Sequence, residues 1–219
     1  MKRFAILLPQ RRPHPQPLAI AILFLLLLIL VLLSLRAYRA GPIMFDLPLE
    51  RDVQAVNWSI LLGLFAFTNW LGSPLQASIA VVLVATLLGF FRLTYEALLS
   101  VSAVGANAIE TLMKQLVDRP RPPASLVHVT AAEHGFSFPS GHATFFAAWL
   151  TILCLVLAPR FNRSLRLAAA VIASLLILAA GVARVDVGVH WPTDVIGAYL
   201  LASAWILLVS PLLPPLRQH

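Results

Sequence analysis

Residues 18–35 read LAIAILFLLLLILVLLSL, with Ser34 as the one polar side chain in the run. A bilayer's hydrocarbon core, about 30 Å thick, takes roughly 20 apolar helical residues to cross, so this stretch reads as a membrane span. Lys2, Arg3, Arg11 and Arg12 precede it, like the basic end of a secretory signal. The run nevertheless exceeds the ~7–15 apolar residues of a cleavable signal, and Arg36 and Arg39 stand where small residues would mark a cleavage site. It reads as a retained anchor helix.

Outward from the anchor the same pattern recurs. Apolar runs over 75–91, 97–116, 143–158, 165–182 and 195–213 bring the expected spans to six, joined by short loops that make neighbours antiparallel. A further segment, 56–71, carries Asn57, Trp58, Asn69 and Trp70 and is expected to lie in the interface, with a span as the alternative. The expected fold class is therefore all-α: a polytopic membrane bundle of six transmembrane helices plus an interfacial helix. The expected divisions are a cytoplasmic lead (1–17), an anchor and interfacial segment (18–74), a core (75–213) and a cytoplasmic tail (214–219).

Composition agrees with a lipid solvent. Of 219 residues, 60% are hydrophobic and 11% charged, against about 45–50% and 25% in soluble domains, and mean hydropathy is +0.88. Disorder is excluded by the shortage of charge. The net charge of +7 would point to nucleic acid in a soluble chain. Here the basic residues flank apolar runs and report orientation, so no nucleic-acid partner is expected. With the N-terminus inside, the inner loops carry nine basic residues; the outer ones carry four once Lys114, Arg121 and Arg184 are set aside as site residues. Cys154 is the lone cysteine and forms no intrachain disulfide.

Three segments break the hydrophobic pattern, and the six-span topology brings all three to the outer face. The first runs from Lys114 to Pro122. The second, Phe138-Pro-Ser-Gly-His142, precedes an apolar helix, with Ser140 a good N-cap and the amides near Gly141 an anion site at the positive end of the helix dipole. The third runs from Arg184 through His190 to Asp194, with Pro192 suited to a first helical position. Together they supply cations, an amide nest, two histidines and a carboxylate. Phosphoryl transfer needs this inventory, because its transition state spreads negative charge over three equatorial oxygens.

At these residues the chain resembles the type 2 phosphatidic acid phosphatase (PAP2) family, whose membrane members share a fold with vanadium haloperoxidases. Lys114-x6-Arg121-Pro122, Pro139-Ser140-Gly141-His142 and Arg184-x5-His190-x3-Asp194 match its three motifs. The third motif begins with Ser in the family and with Ala183 here, which removes a hydroxyl that could help to hold Arg184 or the phosphate. Arg119-Pro120 is a second Arg-Pro, out of register with Lys114.

The resemblance implies that His190 attacks phosphorus, that Asp194 orients and charges the imidazole, and that His142 protonates the leaving oxygen and then activates water. It implies that Lys114, Arg121 and Arg184, with the amides of Ser140 and Gly141, bind the phosphate. Glu110, one turn before Lys114, is a candidate ion-pair partner for it. His128, Glu133, His134 and Asp186 read as solvated loop residues. No cofactor or metal is expected, with zinc on His142, His190 and Asp194 as the alternative.

The expected partners are the bilayer and a lipid phosphate: undecaprenyl diphosphate first, then phosphatidylglycerol phosphate or phosphatidic acid. The expected location is a bacterial inner membrane with an extracytoplasmic site. A phosphotransferase acting on lipid A or another lipid, and a non-catalytic lipid-binding or transport protein, are the competing readings. Oligomeric state is not legible.

Overall fold

The computed structural model describes residues 17–213. The segments expected to form a cytoplasmic tail (214–219) and lead (1–17, apart from Pro17) lie outside the described residues. The described chain is helical, without strands: α1 (Pro17–Ala37), α2 (Asp46–Ala55), α3 (Leu62–Leu71), α4 (Pro74–Phe90), α5 (Thr94–Ser102), α6 (Val104–Val117), α7 (Gly141–Leu157), α8 (Arg163–Asp186) and α9 (Pro192–Val209), with short 3-10 turns after α7 and α9.

Four helical segments among the described residues are long and apolar enough to cross a membrane: 17–37, 141–160, 163–186 and 192–212. The α3/α4 pair, bent by 79°, adds a fifth if it is one span. The six-span expectation departs from this at 97–116, which is two short helices divided at Ala103. The break has a local cause. Ala103 N–H donates to Ser100 O and Ala106 N–H to Ala103 O, tightening the turn to i→i+3 bonding, while Ser102 Oγ donates to Leu99 O. Residues 56–71 also differ from a single interfacial helix. Trp58 Nε1 donates to Val53 O in a turn, and the helix begins only at Leu62.

Lipid gives helices no hydrophobic reason to associate, so small residues at close contacts and satisfied polar groups hold the bundle. The most enclosed of the four spanning segments is 141–160 and the least is 17–37, which places α7 centrally and α1 at the rim. Phe145, Phe146, Trp149 and Ile152 of α7 build the main core with Ala106, Ala180 and Ala202, and the Trp149 indole donates to Ser100 Oγ at 3.0 Å. Through Leu30 and Ala37, α1 packs on Val117, Phe138 and Leu201, leaving residues such as Leu18 and Phe24 facing outward.

The connection from Asp118 to Ser140 has no helix of its own and is tied down by α2. Arg51 donates to Leu126 O from Nε and Nη2 (3.2 and 3.1 Å), and Gln54 Nε2 donates to His128 O at 2.7 Å. Gly188, with φ +72°, makes the turn out of α8; a Cβ there would stand 2.3 Å from His128 O. Both the left-handed backbone and the close carbonyl exclude a side chain. Gly188→Ala is therefore expected to cost about 1–3 kcal/mol, lowering the thermal midpoint in detergent by several degrees. An unchanged midpoint would show that the turn relaxes.

Candidate active site

The three polar segments meet. Lys114, Arg121, Gly141, His142, Arg184 and His190 all line one cavity of about 690 Å³, with Asn69, Glu110 and Glu133 among them, and Ala77, Val81, Val104 and Phe145 add apolar wall to it. Chain distance explains why each arrives on a different element: α6 brings Lys114, the start of α7 His142, the end of α8 Arg184, and the α8–α9 turn His190.

His190 is 1% exposed. Its Nδ1 lies 3.5 Å from Asp194 Oδ2 and 3.4 Å from Ser137 Oγ, and Ser137 donates its own hydroxyl proton to Asp194 Oδ2. With that proton committed, Ser137 Oγ can only accept from the ring, so Nδ1 carries hydrogen. Arg121 Nη1, a donor only, lies 3.2 Å from Nε2, which is therefore the lone pair. Burial, followed by the charges of Arg121, Arg184 and Lys114, holds the imidazole well below its ordinary pKa, hence neutral. Neutral His190 thus presents a single unprotonated nitrogen to the cavity.

His142 makes the complementary choice. Its Nε2 lies 3.0 Å from Asn69 O at the end of α3, and a carbonyl can only accept, so this nitrogen carries hydrogen and Nδ1 is left to exchange a proton. Gly72 permits the contact: a Cβ there would be 2.4 Å from the His142 ring.

The cations are balanced one by one. The expected i,i+4 pair is present, with Lys114 Nζ 2.8 Å from Glu110 Oε1. Arg184 donates to Asn69 Oδ1 at 3.0 Å, while its Nε is buried without a partner. Glu133 bridges the two arginines, pairing with Arg184 through Oε1 and with Arg121 through Oε2 at 3.1 Å. The expectation of a solvated Glu133 is corrected on this point. Burial opposes its charge, but the guanidinium charges, Arg184 before Arg121, outweigh that and hold its pKa at about 2, so the carboxylate is ionised at neutral pH.

Two further expectations change. Ser140 stands at the N-cap of α7, yet its hydroxyl makes no cap bond and is buried without a partner, and its amide donates to Asp194 O at 3.1 Å. That amide is already committed and unavailable to an anion; Gly141 remains at the cavity wall. Arg119, set aside as out of register, is fully buried, with Nη1 2.6 Å from Asp194 Oδ1 and Nη2 2.6 Å from Asp46 Oδ2. Its guanidinium also lies 5.8 Å over the Trp191 ring. Nearby, Glu50 is buried with both oxygens unpartnered; burial, then Asp194 and Asp46, pushes its pKa up to about 8, so it is neutral at pH 7.

No short-range signal marked Ser137, Asp46 or Asn69, because their partners lie far away in sequence. Ala183 is fully buried against Phe65 and Ala179, away from the cavity wall. Among the described residues, no three of His, Cys, Asp and Glu converge as a metal donor set.

Residues 95–217, more than half of the chain, match the PAP2 superfamily. The chain belongs to the PAP2 superfamily. Among its PAP2 relatives, a phosphatidylglycerophosphatase B of Bacillus subtilis is 31% identical over 59% of this chain and 64% of its own length. One of Escherichia coli K12 is 34% identical over 48% and 43%. An undecaprenyl-diphosphatase of Sulfolobus acidocaldarius is 40% identical over 34% and 32%. The chain thus spans about two thirds or less of the length of these relatives.

The solved PAP2-type phosphatidylglycerolphosphate phosphatase of B. subtilis superposes with TM-score 0.75 at 22% identity, covering 86% of this chain and 94% of its own. Aquifex aeolicus LpxE superposes with TM-score 0.59 at 22% identity, covering 76% and 96%. The fold is thus the PAP2 fold, in an integral membrane protein.

An oxyanion entering between Arg121 and Arg184 has to displace Glu133. Glu133→Gln is expected to bind vanadate roughly two- to fivefold more tightly, the scale of a partly exposed ion pair, measured as a dissociation constant. Weaker binding would show that the carboxylate shapes the seat instead of competing for it.

Proposed function

We propose that the chain is a metal-independent lipid phosphatase working through a phosphohistidine. The observation that carries this is the single tautomer assigned to His190: its proton is held at Nδ1 by Ser137 and Asp194, and its lone pair at Nε2 faces a cavity lined also by His142 and three cations.

Nε2 attacks phosphorus as the bond to the leaving oxygen breaks, and His142, entering this step as the imidazolium, gives its Nδ1 proton to that oxygen while Nε2–H stays on Asn69 O. His142 then takes a proton from water, which attacks the phosphohistidine, freeing phosphate and restoring the imidazole. Asp194 stabilises the cation that forms on His190 between the two steps. Lys114, Arg121 and Arg184 hold the phosphoryl oxygens, with the unpartnered Arg184 Nε as a ready donor and the Gly141 amide at the start of α7 beside them. Glu110 positions Lys114. Ser140 keeps a supporting place only, through its bond to Asp194 O.

The apolar lining residues Ala77, Val81, Val104 and Phe145 offer a lipid tail a matching surface. The relatives' names move phosphatidylglycerol phosphate to the front, ahead of undecaprenyl diphosphate and phosphatidic acid. The segment 75–213 is the catalytic core, 18–74 the anchor and its connection, and the N-terminal lead and C-terminal tail are cytoplasmic. The site lies on the extracytoplasmic side of a bacterial inner membrane, with α3 lying along the interface and α5/α6 together completing the passage through the bilayer.

Purified in detergent with EDTA, the wild-type protein is expected to release phosphate from at least one of these lipids and to be blocked by vanadate, while His190→Ala releases at least about 10³-fold less. Equal release by both proteins would remove the nucleophile assignment, and loss of activity in EDTA would restore a metal. For orientation, a cysteine placed at the exposed Ser125 in a Cys154→Ser background is expected to react with an impermeant maleimide on intact cells. Labelling only after lysis would put the site on the cytoplasmic side.

A further inference from the structure

Behind the cavity lies a chain of charges that begins on α2 and ends beside His190. Asp46, Arg119, Thr193 and Asp194 are each 0% exposed. Arg119 spends its donors in both directions. Nη1 reaches Asp194 Oδ1 (2.6 Å) and Thr193 Oγ1 (2.8 Å); Nη2 reaches Asp46 Oδ2 (2.6 Å) and Gly41 O (2.9 Å). Asp46 in turn reaches α9, its Oδ1 accepting from Thr193 N–H and its Oδ2 from Thr193 Oγ1, both at 2.9 Å. The first turn of α9, which follows His190, is therefore capped by a carboxylate from another helix.

We infer that Arg119 and Asp46 are positioning residues for the nucleophilic imidazole, acting through Asp194. The inference rests on the phosphatase reading for its kinetic part only. The fork of Arg119 fixes Asp194 Oδ1, so the other oxygen, Oδ2, is the one turned to Ser137, to the Trp191 amide and to His190. Asp46 does two things at once. It holds the guanidinium in place, and it shares the guanidinium charge, leaving Asp194 enough negative charge to support a cation on His190. Without Asp46 the whole of that charge falls on Asp194. Asp46 also lies outside the family-matched region 95–217, so a residue of the anchor segment takes part in setting the active site.

The test compares wild type, Asp46→Asn and Arg119→Lys as full chains in detergent, with folding followed by thermal unfolding. Asp46→Asn keeps the shape of the side chain and an acceptor for the Thr193 amide, so it carries the test if Arg119→Lys does not fold. Two readouts are taken. In kinetics, kcat is expected to fall roughly 10- to 100-fold, a part of the ~10⁴-fold lost when an orienting carboxylate is disabled in a hydrolase triad, while KM and the vanadate inhibition constant stay within about twofold.

In 15N-histidine NMR, with the His190 signals identified by their absence in His190→Ala, the Nδ1–H tautomer is expected to give way partly to Nε2–H. Wild-type kcat together with an unchanged tautomer in a folded variant would overturn the inference, as would an equal loss of kcat and vanadate binding. If the wild type releases phosphate from no lipid, the phosphatase reading fails by itself and the tautomer readout decides the positioning role alone.

Discussion

Lys114, Arg121 and Arg184 are crowded at the end of a bundle made to dissolve in hydrocarbon, and unpaired buried charge is among the costliest things a protein can hold. The arrangement of the polar end follows from that constraint. Glu110 serves Lys114, Glu133 serves Arg121 and Arg184 together, and Asp46 and Asp194 share Arg119. The carboxylates differ in what they can give up. Glu133 lines the cavity, where the proposed chemistry has an incoming anion take its place, whereas Asp46 and Asp194 are sealed in. One ion-pair system is thus replaceable and the other permanent, and the proposed chemistry takes place where they meet, at His190.

The same division explains the two imidazoles. Each is fixed by a partner of restricted hydrogen-bonding capacity: His190 by a hydroxyl whose proton is already given away, His142 by a backbone carbonyl. Neither ring has to rotate or exchange tautomers for the proposed roles. Pre-setting of this kind is how a site of fixed dipoles stabilises charge without reorganising during the reaction.

Much of this was legible in the sequence because the informative residues are polar against a nearly uniform apolar background. Lys114, Arg121, His142, Arg184 and His190 were singled out by type and spacing, and the geometry brings them to one cavity. The spans at 18–35, 143–158 and 165–182, and 195–213 but for its last residue, fall within helical segments long and apolar enough to cross a membrane, since such runs have few alternatives in lipid. What the sequence leaves hidden depends on distance along the chain. Arg119 is out of register with Lys114, and its partners, more than 70 residues away on either side, leave no local sign of its place; Glu133 reads as solvated because nothing local hints that two arginines converge on it. The stretch 97–116 read as one helix because hydropathy does not register a change in hydrogen-bond stagger at Ala103. Ser140 was credited with a cap that its hydroxyl does not make, a matter of side-chain rotation that residue type does not determine.

The bond from Asp46 to Arg119 bears on how the molecule can be dissected. A fragment cut at the sequence boundary of the family, near residue 95, would retain both histidines and the three cavity cations and look complete on paper. It would also leave a guanidinium one counterion short in the middle of its own scaffold and α9 without the carboxylate that seats its first turn. A truncation that respects the Asp46–Arg119 pair has to start ahead of α2, some fifty residues upstream of the recognisable signature.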